Sequence, residues 1–142
     1  MVTTTATRRE EVELLEALEL ETVIDQSTGL MWQAEGSLDR MHWAEAQSYC
    51  DDLNRESFGG FNDWRLPEIH ELITLVDYTR SYPSIVFISG ISCQSNYYWS
   101  GTNYESEANF AWSVGFNVGC VNCNNMYAFE LYVRCVRDNS RI

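Results

Sequence analysis

Hydrophobic and polar residues alternate in the C-terminal part of the chain, between residues 109 and 137. Trp112, Val114 and Phe116 occupy every second position, so they share one face of a predicted strand. The opposite face of that strand then carries Ser113, Gly115 and Asn117. Such a strand buries apolar side chains on one face and carries chemically unrelated side chains on the other. This pattern indicates that the second face is a surface displayed to a ligand.

The first third of the chain predicts a helix followed by a hairpin. Val12, Leu15 and Leu18 recur at three-residue intervals, so residues 7–21 are predicted to form a helix. This segment is either a solvated lead-in helix or an oligomerisation arm, although it is short for a sustained heptad repeat. Residues 22–33 predict a strand, a turn ending at Gly29 and a second strand.

Two helices and further β structure are predicted next. Apolar spacing predicts a helix over residues 41–54 with Cys50 on its buried face, and residues 37–39 offer capping side chains. Pro67 suits the first turn of a second helix, whose apolar stripe runs from Ile69 to Val76. Three short strands then close the domain, over residues 97–102, 110–116 and about 127–136. This order predicts an α+β fold rather than alternating βαβ units.

Composition and charge exclude several classes of protein. A chain of 142 residues is long enough for one domain with a sizeable core. Its net charge of −12 repels nucleic-acid phosphates and no basic patch offsets it, so no nucleic acid is expected as a partner. No stretch has the pattern of a transmembrane span or a signal peptide, so no membrane insertion is expected.

The cysteines do not form a recognisable catalytic or metal site. The chain has five of them, and an odd number leaves at least one unpaired within a monomer. Cys120 and Cys123 form a C-x-x-C, but it does not open a helix after a strand, as a thioredoxin-like site would. With only two histidines and no second C-x-x-C, no zinc set is completed. We expect no catalytic residue, no metal and no cofactor, and no known catalytic motif contradicts this expectation.

Five sequence blocks, taken in order, resemble one known family. They are Asp25 with residues 28–32, Trp43-x-x-Ala46-x-x-Tyr49-Cys50-x-x-Leu53, residues 63–67 with Glu71-Leu72, residues 98–102, and residues 132–137. Over about residues 22–137 the chain resembles the lectin-like domain family named after the C-terminal domain of the Lcl collagen-like adhesin. The resemblance implies a C-type-lectin-like fold, with two helices packed on small antiparallel sheets and adjacent N- and C-terminal strands. It divides the chain into a helical lead-in, residues 1–21, and a ligand-binding domain, residues 22–142.

The resemblance also implies roles for several scaffold residues. C-type-lectin-like domains commonly carry a disulfide between the first helix and the last strand, and Cys50 and Cys135 occupy the corresponding places. The alternative is two small buried thiols. Arg65 and Arg134 are expected to be paired or hydrogen-bonded within the scaffold, because a buried guanidinium requires partners. The calcium and sugar motifs of sugar-binding C-type lectins are absent, so the resemblance concerns the fold.

Proteins of this lectin-like class also serve as variable proteins of diversity-generating retroelements. Those systems randomise template adenines, usually in asparagine codons, and changes in the first two bases reach Ser, Gly, Val, Cys, Tyr, Ala, Phe and Leu. Nine positions within about residues 109–131 fit this set, and four asparagines match the template residue itself. Together these thirteen positions are called the variable face: Ser113, Gly115, Asn117, Val118, Cys120, Asn122, Cys123, Asn124, Asn125, Tyr127, Ala128, Phe129 and Leu131. Met126 and Glu130 require a different template codon. An ordinary asparagine-rich β loop is the alternative interpretation.

The expected function is therefore ligand binding without catalysis, by a receptor or adhesion protein whose variable face is diversified by a retroelement. The expected partner is a protein or cell-surface component that differs between clones, with Tyr127 and Phe129 as anchors. A cell-surface or virion-associated location is favoured, and the oligomeric state is left open. One alternative is an adhesin with fixed specificity for glycans or matrix polymers. A more distant one is an oxidase related to formylglycine-generating enzymes, using Cys120 and Cys123.

Overall fold

The computed structural model describes residues 7–10 and 21–139, which contain two small antiparallel sheets and two α-helices. This is the α+β architecture that the sequence predicts. Residues 8–10 are helical, residues 7 and 21 are not, and residues 11–20 of the predicted lead-in helix lie outside the described residues. The elements, in chain order, are β1 Thr22–Asp25, β2 Leu30–Gln33, α1 Trp43–Arg55, a 3-10 turn Phe58–Gly60, α2 Ile69–Ile73, β3 Tyr97–Asn103, β4 Phe110–Gly115, β5 Cys120–Asn125 and β6 Val136–Asp138.

The first sheet brings the two ends of the domain together. Its strand order is β1-β2-β6, and β6 pairs with β2 so that Val136 lies opposite Trp32. The adjacency of N- and C-terminal strands is thus confirmed. The β1–β2 turn is held by Asp25, whose carboxylate accepts hydrogen bonds from the Ser27 N–H (3.0 Å) and hydroxyl (2.7 Å). Gly29 follows at φ 73°, a conformation that favours glycine.

Helix α1 begins two residues later than predicted, and its cap is not the predicted one. His42 is the N-cap, and its N–H donates to the Glu45 carboxylate at 2.9 Å in a capping box. The expectation that residues 37–39 cap this helix is wrong. The Ser37 hydroxyl accepts the Val133 N–H at 3.0 Å and donates to the Asp39 carbonyl, so it joins the C-terminal segment to the loop before α1.

Helix α2 is shorter than its apolar stripe suggested. Pro67 precedes the helix instead of lying in its first turn, and Glu68 is the N-cap. The Thr102 hydroxyl accepts the N–H of Ile69 at 2.9 Å, which ties the start of α2 to β3. After Thr74 the chain leaves the helix, yet Val76 remains buried. The stripe therefore marks a buried segment that continues past the helix.

The second sheet has the order β3-β4-β5, and its third strand is not where the sequence predicted it. The predicted strand at about residues 127–136 is wrong, since the strand that pairs with β4 is Cys120–Asn125. Residues 127–135 instead form a turn and an irregular return segment, which makes isolated bridges from Leu131 to Met41 and from Tyr132 to Tyr98. An edge strand such as β5 is only partly buried, so it lacks the hydrophobic alternation on which the prediction relied.

Two core clusters hold the sheets and helices together. The first packs Trp32 with Leu72, Val114 and Phe116, and the second packs Ala46 and Trp99 with other buried residues. Cys50 and Cys135 form a disulfide in the second cluster, with Cα atoms 6.4 Å apart and a sequence separation of 85 residues. It links α1 to the segment that leads into β6, as the resemblance implies.

Candidate functional site

The register of the second sheet determines which side chains of the variable face share a surface. Residues directly opposite each other in an antiparallel pair project from the same face. Ser113 lies opposite Asn122 and Gly115 opposite Cys120, so these residues share one face with Tyr97 and Trp99 of β3. Val114 and Val121 lie on the other face.

Four members of the variable face are buried, which corrects the expectation that Ser113, Gly115, Asn124 and Leu131 are displayed. For Ser113 and Gly115 the physical reason is that β4 is a central strand covered on both sides. Val114 packs in the first core cluster and Ala111 in the second.

Neighbouring side chains cover three of these buried positions. The Ser113 hydroxyl donates to Asn124 Oδ1 at 2.6 Å, so each satisfies the other in a buried pair. Gly115 lies beneath the ring of Tyr97, and a Cβ at residue 115 would come within 2.6 Å of the Tyr97 Cζ. Leu131 packs into the second core cluster. In this conformation none of these side chains is available to a ligand.

The other nine members are exposed or partly exposed. Six are exposed, namely Val118, Cys120, Asn122, Tyr127, Ala128 and Phe129, and three are half-buried, namely Asn117, Cys123 and Asn125. Tyr127 and Phe129 are the two large side chains among them, with exposed fractions of 71% and 48%.

These nine positions extend along the whole of β5 and beyond both of its ends. Val118 lies in the β4–β5 turn, whereas Tyr127 and Phe129 lie beyond the other end of the strand. Six strand residues span roughly 17 Å. We call residues 127–129 the tip patch. One small ligand cannot contact the tip patch and the β4–β5 turn together, whereas a protein partner covers such a distance.

Two exposed aromatic residues that the sequence analysis did not select lie beside the β4–β5 turn. The Tyr82 N–H donates to the Asn117 carbonyl at 2.8 Å, and a Cβ at Gly119 would lie 3.3 Å from the Tyr78 ring. Both tyrosines have an exposed fraction of 68%. We call Tyr78, Tyr82, Val118 and Val121 the turn patch. No periodic signal identifies the two tyrosines, because they lie in an irregular loop and meet the turn only through the tertiary fold.

Several asparagines of the variable face hold the backbone of the loops. Asn117 Oδ1 accepts the N–H of Val118 at 2.8 Å. Asn125 Oδ1 accepts the N–H groups of Tyr127 (2.8 Å) and Ala128 (3.1 Å), which shapes the turn that presents the tip patch. Asparagine is suited to this role because its side chain can replace a turn carbonyl. These asparagines are therefore part of the support for neighbouring side chains.

Cys120 and Cys123 do not form a functional pair. An odd separation on a strand places their side chains on opposite faces, and both are free thiols. Cys93, the third free thiol, is half-buried, and burial raises its pKa above the ordinary value for a thiol. A raised pKa decreases the thiolate fraction at neutral pH and hence reactivity.

Buried arginines fasten the C-terminal segment behind the site, as expected for Arg134. It is almost fully buried and donates to the Ala34 carbonyl at 2.9 Å and also to the carbonyls of Gln33 and Ser92. Because each N–H to a carbonyl removes part of the desolvation penalty, the buried guanidinium is tolerated.

Two further arginines form charged pairs on the first sheet. Arg65 binds the Glu71 carboxylate through two N–H groups at 2.7 and 2.9 Å, which confirms the expected pairing. Arg137 donates to the Asp63 carboxylate at 2.6 Å, and this hydrogen bond lowers the pKa of Asp63. Arg137 is part of β6, so its pair with Asp63 ties the strand that closes the domain to the loop that carries Asp63.

One group of side chains in the described part of the chain has the spacing of a metal site: His42, Glu45 and Glu130. Glu45 is already engaged in the α1 capping box, and His42 Nδ1 lies 3.8 Å from the Glu130 carboxylate. Helix capping therefore accounts for the closeness of His42 and Glu45, and Glu130 lies beside them at the surface.

Two clefts lie away from the variable face, near Glu21 and Phe58. One of about 400 Å³ is lined by Glu21, Glu35, Glu56, Tyr49 and Phe58 among others, and it contains none of the thirteen positions. An exposed face outside such a cleft is suited to contacting a broad surface rather than enclosing a small molecule.

The chain matches the model of a known protein family. The model of the Lcl C-terminal domain family matches residues 21–137, which is most of the chain. No curated protein matches the chain significantly. Within residues 7–10 and 21–139, no helix is both long enough and apolar enough to cross a lipid bilayer.

Proposed function

This chain belongs to the Lcl C-terminal domain family, and from that premise we propose that it is a ligand-binding receptor or adhesion protein. In this proposal the domain has a C-type-lectin-like fold, and a diversity-generating retroelement diversifies its C-terminal surface. The adjacency of β2 and β6 and the disulfide between Cys50 and Cys135 support the lectin-like assignment.

The observation that carries the proposal is a contrast within one short segment. Val118, Cys120, Tyr127, Ala128 and Phe129 are exposed. The segment that follows is fastened to the scaffold by buried Arg134, a disulfide and paired Arg137. A rigid scaffold that carries exposed and chemically unrelated side chains can accept many sequences at those positions, because their replacement costs little stability.

The variable face provides binding area rather than catalytic groups. Tyr127 and Phe129 are proposed as anchors, because aromatic side chains bury a large area at a low cost in conformational entropy. Catalysis, a metal and a cofactor have no part in this function. The separation of Cys120 and Cys123 onto opposite faces of β5 weighs against the distant oxidase alternative.

The proposed partner is a protein or cell-surface component, and the proposed location is the cell surface or a virion. The net charge of −12 disfavours nucleic acids. A structural disulfide supports a location in an oxidising compartment, because disulfides persist there and are rare in the cytosol.

The decisive experiment is to sequence the DNA on both sides of the gene. We expect a reverse-transcriptase gene and a near-copy of the segment that encodes residues 109–137, differing from it only opposite template adenines. We further expect the differences between clones to be frequent at Val118, Tyr127 and Phe129 and limited to small residues at buried Ser113 and Gly115. The absence of both the reverse transcriptase and the repeat would overturn the retroelement proposal.

A second candidate is an adhesin of fixed specificity for glycans or matrix polymers, and the family membership favours it. It predicts that independent isolates carry the same residues at the tip patch. A glycan array with the purified protein, compared with a Tyr127→Ser variant, separates the two candidates. Strong binding of one glycan that the variant loses would favour the adhesin. The oxidase alternative requires thiol-dependent turnover that a Cys123→Ser variant loses.

A further inference from the structure

The tip patch is an exposed aromatic surface on a rigid support. Asn125 Oδ1 accepts two N–H groups of the turn, and the Phe129 N–H reaches the Asn125 carbonyl at 3.3 Å. On the strand side, the Met126 N–H donates to the Asn109 carbonyl at 2.8 Å, and the Met126 side chain is buried. Tyr127 and Phe129 are therefore presented on an ordered turn, which lowers the entropic cost of binding through them.

Several acidic residues lie in the segments that meet at this patch. Glu130 follows Phe129 directly, its carboxylate is 3.8 Å from His42 Nδ1, and Glu45 lies 3.4 Å from the same atom. The loop between β3 and β4, which reaches the tip through Asn109, carries two more glutamates. Together the three segments that meet here, residues 39–45, 103–110 and 125–131, contain five carboxylates and one guanidinium: Asp39, Glu45, Glu105, Glu107, Glu130 and Arg40.

The turn patch provides an internal comparison. It is also aromatic and exposed, through Tyr78 and Tyr82. Its two segments, residues 76–84 and 115–121, carry one carboxylate and one guanidinium, Asp77 and Arg80. The two ends of the sheet thus resemble each other in apolar character and differ in charge.

A second copy of this chain is a poor occupant of the tip patch. The protein has no lysine, and its three most internal arginines, Arg65, Arg134 and Arg137, are already bonded to scaffold groups. With a net charge of −12, two copies repel each other. A complementary surface must therefore come from a different molecule.

We propose that the tip patch docks a basic protein surface, one that offers arginine or lysine side chains beside apolar ones. The proposal rests on the proposed ligand-binding function and specifies the chemistry of its partner. Cations are attracted to the faces of Tyr127 and Phe129, and the surrounding carboxylates supply the complementary charge. Such a partner would associate faster at low salt, because the interacting charges are exposed.

The test uses two fluorescent peptides of equal length, one of Arg-Leu-Gly repeats and one of Glu-Leu-Gly repeats. Fluorescence anisotropy is recorded with the full chain at low and high salt. We expect the basic peptide to bind with an affinity that falls with salt, and the acidic peptide not to bind. If neither peptide binds, or if both bind equally, the proposal is refuted.

Matched variants locate the binding. We expect Tyr127→Ser/Phe129→Ser and Glu130→Arg each to weaken binding of the basic peptide about tenfold, the loss of one hot-spot contact. Tyr78→Ser/Tyr82→Ser at the turn patch and Glu35→Arg at the cleft are the controls and should change binding less than about twofold. Equal losses in controls and tip variants would show unspecific charge attraction and refute the proposal.

Two checks keep the result interpretable. Thermal unfolding should show that every variant remains folded, because each substituted side chain is exposed. The outcome is also independent of the DNA test of the proposed function. A reverse transcriptase beside the gene together with no peptide binding would refute the basic partner alone.

Discussion

Removal of the disulfide between Cys50 and Cys135 is expected to cost the domain at least about a third of its stability. The bond closes a loop of 85 residues. In the chain-entropy treatment, release of a loop of that length stabilises the unfolded state by roughly 4.5 kcal/mol. Both cysteines are also fully or almost fully buried in the second core cluster, so alanine at both sites adds a cavity cost on the order of 1 kcal/mol. A small domain has a total of only about 5–15 kcal/mol.

The assay is guanidinium unfolding of the wild type and of a Cys50→Ala/Cys135→Ala variant, each with and without a reductant. Both chains should carry serine at Cys93, Cys120 and Cys123, so that free thiols cannot exchange with the disulfide. We expect the reductant to lower the unfolding midpoint of the wild type towards that of the variant and to leave the variant unchanged. A loss below about 1 kcal/mol, or an equal effect of reductant on both proteins, would refute the reasoning.

Three further predictions concern how burial affects Gly115, the free cysteines and Glu71. Gly115→Ala should lower the free energy of unfolding by about 1–3 kcal/mol, because the new methyl group collides with the Tyr97 ring; thermal denaturation measures this, and an unchanged midpoint contradicts it. In the native protein a thiol reagent should modify exposed Cys120 well before Cys93, because burial raises the pKa of Cys93. Mass spectrometry of samples taken at successive times measures the order of modification, and earlier reaction of Cys93 would contradict the prediction. Burial acts to raise the pKa of Glu71. The hydrogen bonds and the charge of the Arg65 guanidinium outweigh this effect, so the pKa in the folded protein lies below the ordinary 4.5. The contribution of ionised Glu71 to stability is present above about pH 4.5 and disappears as the pH falls through its lowered pKa. Glu71→Gln should therefore reduce the loss of unfolding free energy between neutral and acid pH. The same pH dependence in the variant and the wild type would contradict this.

The hairpin, the two helices and the family could be predicted from the sequence because their signals are local. The β1–β2 turn has its own side-chain hydrogen bonds, and α1 has apolar residues at helical spacing. The pairing of Arg65 was also expected, because a guanidinium within a fold requires acceptors. The helix caps could not be predicted from the sequence alone. Helix α1 is capped by His42 with Glu45 and not by Ser37, because the Ser37 hydroxyl binds the Val133 backbone.

The location of β5 could not be predicted, because an edge strand of cysteine and asparagine carries no hydrophobic alternation. Its pairing depends on a turn that Gly119 permits at φ 85° and on the register with β4. The same applies to the turn patch. Tyr78 and Tyr82 meet the β4–β5 turn through contacts between segments more than 30 residues apart, which no local pattern records.

By itself, the sequence determined which segment has a fixed framework and which positions carry unrelated side chains. Only the tertiary structure decided which of those positions a ligand can reach. Ser113 and Gly115 fit the codon pattern as well as Tyr127 does, yet the first two lie beneath neighbouring strands and side chains while Tyr127 projects from the tip. The reason is that alternation along one strand defines two faces, and the packing of other elements against the sheet determines whether each face is covered.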